Sequence, residues 1–113
     1  LPPGTLVGSP VSPGVVEGAV RVVHDPAQAG LQSGEILVCL GTDPAWTPLF
    51  LTAAGLITEV GGMMTHGSVV AREYGIPAVV GVDAATTRLQ TGQRVRVDGS
   101  AGTIELVTAP TGQ

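Results

Sequence analysis

His66 is the residue best placed to do chemistry, because it lies where a helix is expected to begin and glycines flank it. Thr65 is a plausible N-cap, and Gly75 would end the helix. The first backbone N–H groups of such a helix, among them those of Gly67 and Ser68, have no partner within the helix, and the helix dipole adds positive potential there. The pattern therefore predicts an anion-binding helix start that contains a nucleophile.

The helix dipole also bears on the chemistry of His66. It disfavours the imidazolium, so a neutral ring is expected, with a lone pair on one nitrogen that can attack phosphorus. The acquired phosphoryl oxygens would meet the N–H groups at the helix start, and Gly61, Gly62 and Gly67 would leave room for their close approach. The site is predicted to suit a phosphohistidine. The alternative is a histidine that only caps the helix and packs.

A resemblance to a known family rests on the stretch GGMMTHGSVVARE, residues 61–73, followed by Gly75-Ile76-Pro77. This stretch resembles the signature of the phosphohistidine swivelling domain of phosphoenolpyruvate-utilising enzymes, and the resemblance covers about the whole chain. The Met64-Thr65-His66 form, with residues 43–50 upstream, is most similar to the rifamycin phosphotransferase and phosphoenolpyruvate synthase-like branch. The resemblance implies that His66 is phosphorylated on the ring nitrogen remote from the backbone.

The resemblance also implies the reaction around His66. An ATP-grasp domain of the same protein would transfer the β-phosphoryl group of ATP to His66, and the domain would then swing to an acceptor-substrate domain. The acceptor would be pyruvate, a rifamycin-like hydroxyl or another group. ATP and Mg²⁺ are expected in the partner domains, with no cofactor bound by this domain, which is not expected to be active alone. Two alternatives stay open, namely a non-catalytic anion-binding or interaction module and a stand-alone phosphocarrier.

Two threonines are further candidates for the catalytic site. Thr65 and Thr47 carry hydroxyls that can orient the ring or donate to a phosphoryl oxygen. Thr47 is chosen because the resembling family tends to have a threonine near the histidine, on the helix after the preceding strand. The predicted site thus has His66, Thr65 and Thr47 as its catalytic residues, and the phosphate-binding residues are Gly61, Gly62, Gly67 and Ser68.

Composition argues against several other classes of function. Five basic residues face nine acidic ones, for a net charge of −4, so nucleic acid and anionic membranes are not expected partners. Two histidines far apart in sequence and one cysteine, Cys39, predict no metal site and exclude an internal disulfide. With no apolar run of membrane-spanning length, the expected location is the cytoplasm. A chain of 113 residues is also small for a complete ATP-using enzyme, so a piece of a larger protein is expected.

The expected fold is α/β, with mixed β/β/α layers in a single compact swivelling domain over residues 14–108. Residues 1–13, rich in proline and glycine, are predicted to be an extended linker and entry segment, and residues 109–113 a C-terminal tail. Apolar runs flanked by glycine or proline predict strands and two helices, one starting near Asp43 and one at His66. The predicted strands span residues 15–23, 36–40, 55–60, 77–82, 94–98 and 103–106.

Overall fold

The structure is a computed structural model that describes residues 5–28, 30–61 and 65–107. The α-helices of this part of the chain are α1 (His66–Tyr74) and α2 (Ala85–Arg88), and 3₁₀ helices span Pro26–Gln28 and Pro44–Leu51. The strands are β1 (Leu6–Val7), β2 (Ser9–Ser12), β3 (Val15–Val22), β4 (Ile36–Cys39), β5 (Gly55–Thr58), β6 (Ala78–Val80), β7 (Arg94–Asp98) and β8 (Thr103–Leu106).

One mixed sheet organises the domain, with the strand order β1-β8-β7-β3-β4-β5-β6-β2. The pairing is parallel from β3 through β4 and β5 to β6. It is antiparallel between β1 and β8, β8 and β7, β7 and β3, and β6 and β2. All four residues of β4 are buried, as expected of an apolar run covered on both faces. The predicted α/β class with mixed layers is confirmed.

Part of the segment predicted as a linker and entry segment forms strands of the sheet, namely β1 and β2. Strand β1 pairs with β8 and β2 pairs with β6, so this short segment joins the two ends of the strand order and nearly closes the sheet. Leu6 and Val11 are only 5% and 3% exposed. The prolines do exclude a helix, but Pro10 is tolerated in β2 because β2 is an edge strand. Residues 1–4 and the predicted tail, 109–113, lie outside the described residues.

Two apolar clusters lie on opposite faces of the sheet. Ile36 and Val38 of β4 belong to one cluster, and Leu37 and Cys39 to the other, as the two-residue period of a strand requires. Burial raises the pKa of the Cys39 thiol to about 12, which keeps it protonated and unreactive.

The helix expected near Asp43 exists, but it is a 3₁₀ helix. The Asp43 carboxylate caps it by accepting a hydrogen bond from the backbone N–H of Ala45 at 2.9 Å. Pro48 lies inside the segment and has no N–H to donate, which disfavours a regular α-helix. Trp46 and Phe50, four residues apart, are both buried in the cluster that contains Leu37 and Cys39.

Helix α1 begins and ends where the sequence predicts. Thr65 is its N-cap residue with an extended backbone, and Gly75 ends it with φ 71°, a conformation that favours glycine. The guanidinium of Arg72 donates to the carbonyl of Val11 at 3.0 Å, so α1 is also tied to β2. The two short helices Pro26–Gln28 and α2 were not predicted, because segments of three and four residues carry no clear periodic signal.

Candidate functional site

The site forms at the carboxyl ends of β4 and β5. These parallel strands end side by side, with Cys39 paired to Thr58. The loops that follow stay together, because the N–H of Val60 donates to the carbonyl of Leu40 at 2.9 Å. One loop leads to the 3₁₀ helix that begins at Pro44, and the other leads towards α1. Ligand sites in α/β proteins form at this edge of a parallel sheet, since the loops there converge.

The imidazole of His66 has a threonine hydroxyl at each of its two nitrogens. The Oγ1 atom of Thr42 lies 2.9 Å from Nδ1, and the Oγ1 atom of Thr47 lies 3.1 Å from Nε2. The Phe50 ring packs edge-on against the imidazole, with 6.1 Å between ring centroids and 85° between planes. His66 itself is half-buried. The ring is therefore held in one plane while part of it faces solvent.

This arrangement can pair both nitrogens of a neutral imidazole in either tautomer. A neutral ring has one N–H and one lone pair, whereas a hydroxyl both donates and accepts, so the two threonines can pair with both nitrogens at once. Thr47 is thus near the imidazole, as the sequence analysis expected, and its role in transfer stays a prediction.

Thr42 was not among the site residues predicted from the sequence. The feature that could have indicated Thr42 is its position in the fold. It follows the end of β4, and the chain leads to His66 from the neighbouring end of β5. Nothing in the local pattern shows this, because Thr42 and His66 are 24 residues apart. Only the pairing of β4 with β5 brings the two together.

The other predicted site residues line the helix start. Thr65 is exposed, and its Oγ1 lies 3.1 Å from Oγ of Ser68, which is fully buried. Gly67 is buried under Thr42, and a Cβ atom on Gly67 would come 2.9 Å from the Thr42 hydroxyl. Gly61 has φ 134°, which favours glycine. The remaining predicted phosphate-binding residue, Gly62, lies outside the described residues.

A cavity of about 280 Å³ opens beside the start of α1. Three threonines line it, one in the loop after β4, one at the end of β5 and one at the helix cap, together with three glycines and a valine. The lining residues are Gly41, Thr42, Thr58, Val60, Gly61, Thr65 and Gly67. The cavity has room for a small anion next to the N–H groups of the helix start.

Glu59, the acid closest in sequence to this edge, is occupied elsewhere. Its carboxylate accepts hydrogen bonds from the hydroxyl of Thr86 and, at 2.9 Å, from the backbone N–H of Thr86. The hydroxyl bond is the main reason why the pKa of Glu59 lies below its usual value. Glu59 therefore stabilises the start of α2.

Within residues 5–28, 30–61 and 65–107, no three side chains of the His, Cys, Asp or Glu type gather as metal ligands. In the same part of the chain, no helix has the length and apolar character needed to cross a membrane.

Comparison with known proteins agrees with this geometry. Residues 31–102 match the family model described as "PEP-utilising enzyme, mobile domain". Over 108 residues the chain is 59% identical to a rifampicin phosphotransferase of Streptomyces sviceus. The match covers 96% of this chain and 12% of that protein. A phosphoenolpyruvate synthase of Aeropyrum pernix is 44% identical over 108 residues, covering 92% of this chain and 13% of that protein.

A solved structure supports the same fold. An NMR structure of Enzyme I superimposes with a TM-score of 0.61 at 29% identity, covering 72% of this chain and 34% of that one. The chain thus spans only about an eighth of the length of these two curated relatives, 12% of one and 13% of the other.

Proposed function

The chain belongs to the family of PEP-utilising enzyme mobile domains, and we propose that it is the phosphocarrier domain of a larger phosphotransferase. In this proposal His66 accepts a phosphoryl group on Nε2 and passes it to a second substrate. The observation that carries the proposal is the imidazole at the start of α1, held by threonine hydroxyls 2.9 Å and 3.1 Å from its two nitrogens.

The first transfer forms one bond and breaks another. The lone pair of Nε2 attacks phosphorus, and the bond from phosphorus to its leaving oxygen breaks, with the leaving group keeping the electron pair. The hydroxyl of Thr47 lies at 3.1 Å from Nε2. Once the lone pair is used in the new bond, this hydroxyl donates to a phosphoryl oxygen. The second transfer reverses these steps with a different acceptor.

The start of α1 favours the negative charge that arrives with the phosphoryl group. Its dipole and its first N–H groups offer positive potential without a charged side chain. This potential is fixed by the fold and needs no rearrangement when the group arrives. The phosphate-binding role of Gly61, Gly62 and Gly67 near this helix start is part of the proposal.

The donor and acceptor are assigned by analogy with the relatives. A rifampicin phosphotransferase and a phosphoenolpyruvate synthase match this chain over only 12% and 13% of their lengths, so other domains have room for nucleotide, Mg²⁺ and acceptor. We propose that an ATP-grasp domain of the same protein supplies the β-phosphoryl group of ATP. The acceptor is a rifamycin-like hydroxyl or pyruvate. A covalent carrier lets each displacement take place in its own pocket.

The test is to map the label in the full-length protein after reaction with ATP labelled at the β-phosphate. Label is expected on His66 alone, stable in alkali and lost in acid, as a phosphoramidate bond requires. His66→Ala should carry no label. His24→Ala is the matched control, since His24 is exposed in the turn after β3, and it should be labelled like the unaltered protein.

Two results would contradict the proposal. Label on another residue, or full activity of His66→Ala, would remove His66 as the carrier. Binding of phosphate at the start of α1 with no covalent label would instead indicate the non-catalytic anion-binding module.

A further inference from the structure

We infer that Thr42 is a positioning residue that sets the tautomer of His66, by accepting the Nδ1 proton and so leaving the lone pair on Nε2. For its catalytic consequence this inference rests on the proposed function. The contact itself is direct, since Oγ1 of Thr42 lies 2.9 Å from Nδ1.

Thr42 and Gly67 meet on the Nδ1 side of the imidazole. A Cβ atom on Gly67 would come 2.9 Å from Oγ1 of Thr42 and 3.3 Å from a methyl group of Leu56. In the proposed function Nε2 is the nitrogen that reacts, so Nδ1 stays paired with the Thr42 hydroxyl.

The reactive nitrogen decides which tautomer is productive. A neutral imidazole has a single lone pair, so attack through Nε2 requires the proton to be on Nδ1. In that tautomer Nδ1–H donates to Thr42, while the hydroxyl of Thr47 can donate to Nε2. In the other tautomer Nε2–H would donate to Thr47, and the ring could not attack. In the productive form the acceptor of Nδ1–H is the Thr42 hydroxyl, which lies 2.9 Å away.

The contact with Thr42 becomes stronger as the reaction proceeds. When the bond from Nε2 to phosphorus forms, the ring gains positive charge while its proton stays on Nδ1. The bond from Nδ1–H to Thr42 then becomes charge-assisted, and such bonds are roughly twice as strong as neutral ones. An interaction that is stronger in the transition state than in the ground state accelerates the step.

The same geometry gives Gly67 a second role. The sequence analysis predicts that Gly67 leaves room for phosphate, and the structure shows that it also leaves room for the hydroxyl of Thr42. Alanine at this position would push the hydroxyl away from Nδ1. Within a helix, alanine is otherwise more favourable than glycine, so Gly67→Ala tests the position of Thr42 without removing its hydroxyl.

The experiment reads the tautomer directly in this chain. Long-range ¹H–¹⁵N NMR of the chain labelled with ¹⁵N-histidine separates Nδ1–H from Nε2–H rings, and His24→Gln identifies the His66 signals. The unaltered chain is expected to show the Nδ1–H tautomer. Thr42→Val and Gly67→Ala should shift His66 towards a mixture, whereas Thr42→Ser should keep the original tautomer. Thr87→Val, on the exposed surface of α2, is the matched control and should change nothing.

A rate measurement accompanies the spectra. Phosphoramidate, a small phosphoryl donor, is used on the same chains, and ³¹P NMR identifies the modified nitrogen. Thr42→Val is expected to react about tenfold more slowly at Nε2, from the loss of one charge-assisted bond. Thr42→Ser should recover most of that rate.

The outcomes separate this inference from the proposed function. An Nε2–H tautomer in the unaltered chain, or an unchanged tautomer in both Thr42→Val and Gly67→Ala, would overturn the role of Thr42. If Thr42→Val fails to fold, the unaltered chain and Gly67→Ala still decide. Failure of ATP to label His66 in the full-length protein would overturn the proposed function. The tautomer spectra would still test whether Thr42 sets the tautomer of His66.

Discussion

The hydroxyl of Thr47 lies 3.1 Å from Nε2 of His66 and joins the 3₁₀ helix Pro44–Leu51 to the first residue of α1. Phe50, one helical turn after Thr47, packs on the same imidazole. The orientation of the imidazole thus depends on the 3₁₀ helix that follows β4 as well as on α1, which follows β5. Predictions follow for Thr47 and for Phe50.

Replacement of Thr47 by valine is expected to slow phosphorylation of His66 by about 10–100-fold, the range seen when residues that orient a reactive group are lost. Valine keeps the shape of threonine but cannot donate to Nε2 or to a phosphoryl oxygen. Rapid-quench measurement of label on His66 in the full-length protein checks this. Thr47→Ser retains the hydroxyl and should stay close to the unaltered rate, and an unchanged rate in Thr47→Val would exclude Thr47 from the reaction.

Replacement of Phe50 by alanine should lower the free energy of unfolding by about 3–5 kcal/mol, because a buried aromatic ring leaves a cavity. Phe50 is 2% exposed, whereas its neighbour Leu51 is 78% exposed. Leu51→Ala is therefore the control, with an expected change within about 0.5 kcal/mol. Urea denaturation measures both values. Equal losses in the two variants would show that the 3₁₀ helix does not pack as described.

The N-terminal strands predict a stability effect that a linker would not show. Val11 is 3% exposed and Val15 is 59% exposed. Val11→Ala is expected to lower the free energy of unfolding by about 2 kcal/mol, and Val15→Ala by less than about 0.5 kcal/mol. If Val11→Ala had no effect, residues 6–12 would behave as the linker first expected. With these residues in the sheet, the hinge of the proposed swing has to lie outside them.

The contact of Glu59 with Thr86 predicts a pH dependence of stability. Folding lowers the pKa of Glu59, so its contribution is fully present above the pKa of an unfolded glutamate, about 4.3, and is lost as the pH falls through the folded pKa. Glu59→Gln should therefore have a lower Tm than the unaltered chain at pH 7, with the gap closing in acid. Thr86→Val should reproduce this profile, and a gap that persists unchanged in acid would rule out the carboxylate as its cause.

Several parts of the fold and site could be predicted because their signals are local. The start of α1 at His66 and its end at Gly75 follow from a capping residue, helix formers and a glycine, all within ten or so positions. The strand β4 follows from an uninterrupted apolar run. The hairpin of β7 and β8 follows from alternation around the turn at Asp98–Gly102. Signals of this kind depend only on neighbours in sequence.

Sequence patterns alone predict helix α1 and the family, and they single out His66 as the proposed nucleophile. The contact of Thr42 with the imidazole and the strands of the N-terminal segment became evident from the three-dimensional packing. Thr42 reaches His66 because two parallel strands pair in register, and residues 6–12 are strands because the two sheet edges stand close enough to share them. Both depend on contacts between residues far apart in the chain, and hydrogen bonding between strands leaves no local pattern from which such contacts can be predicted.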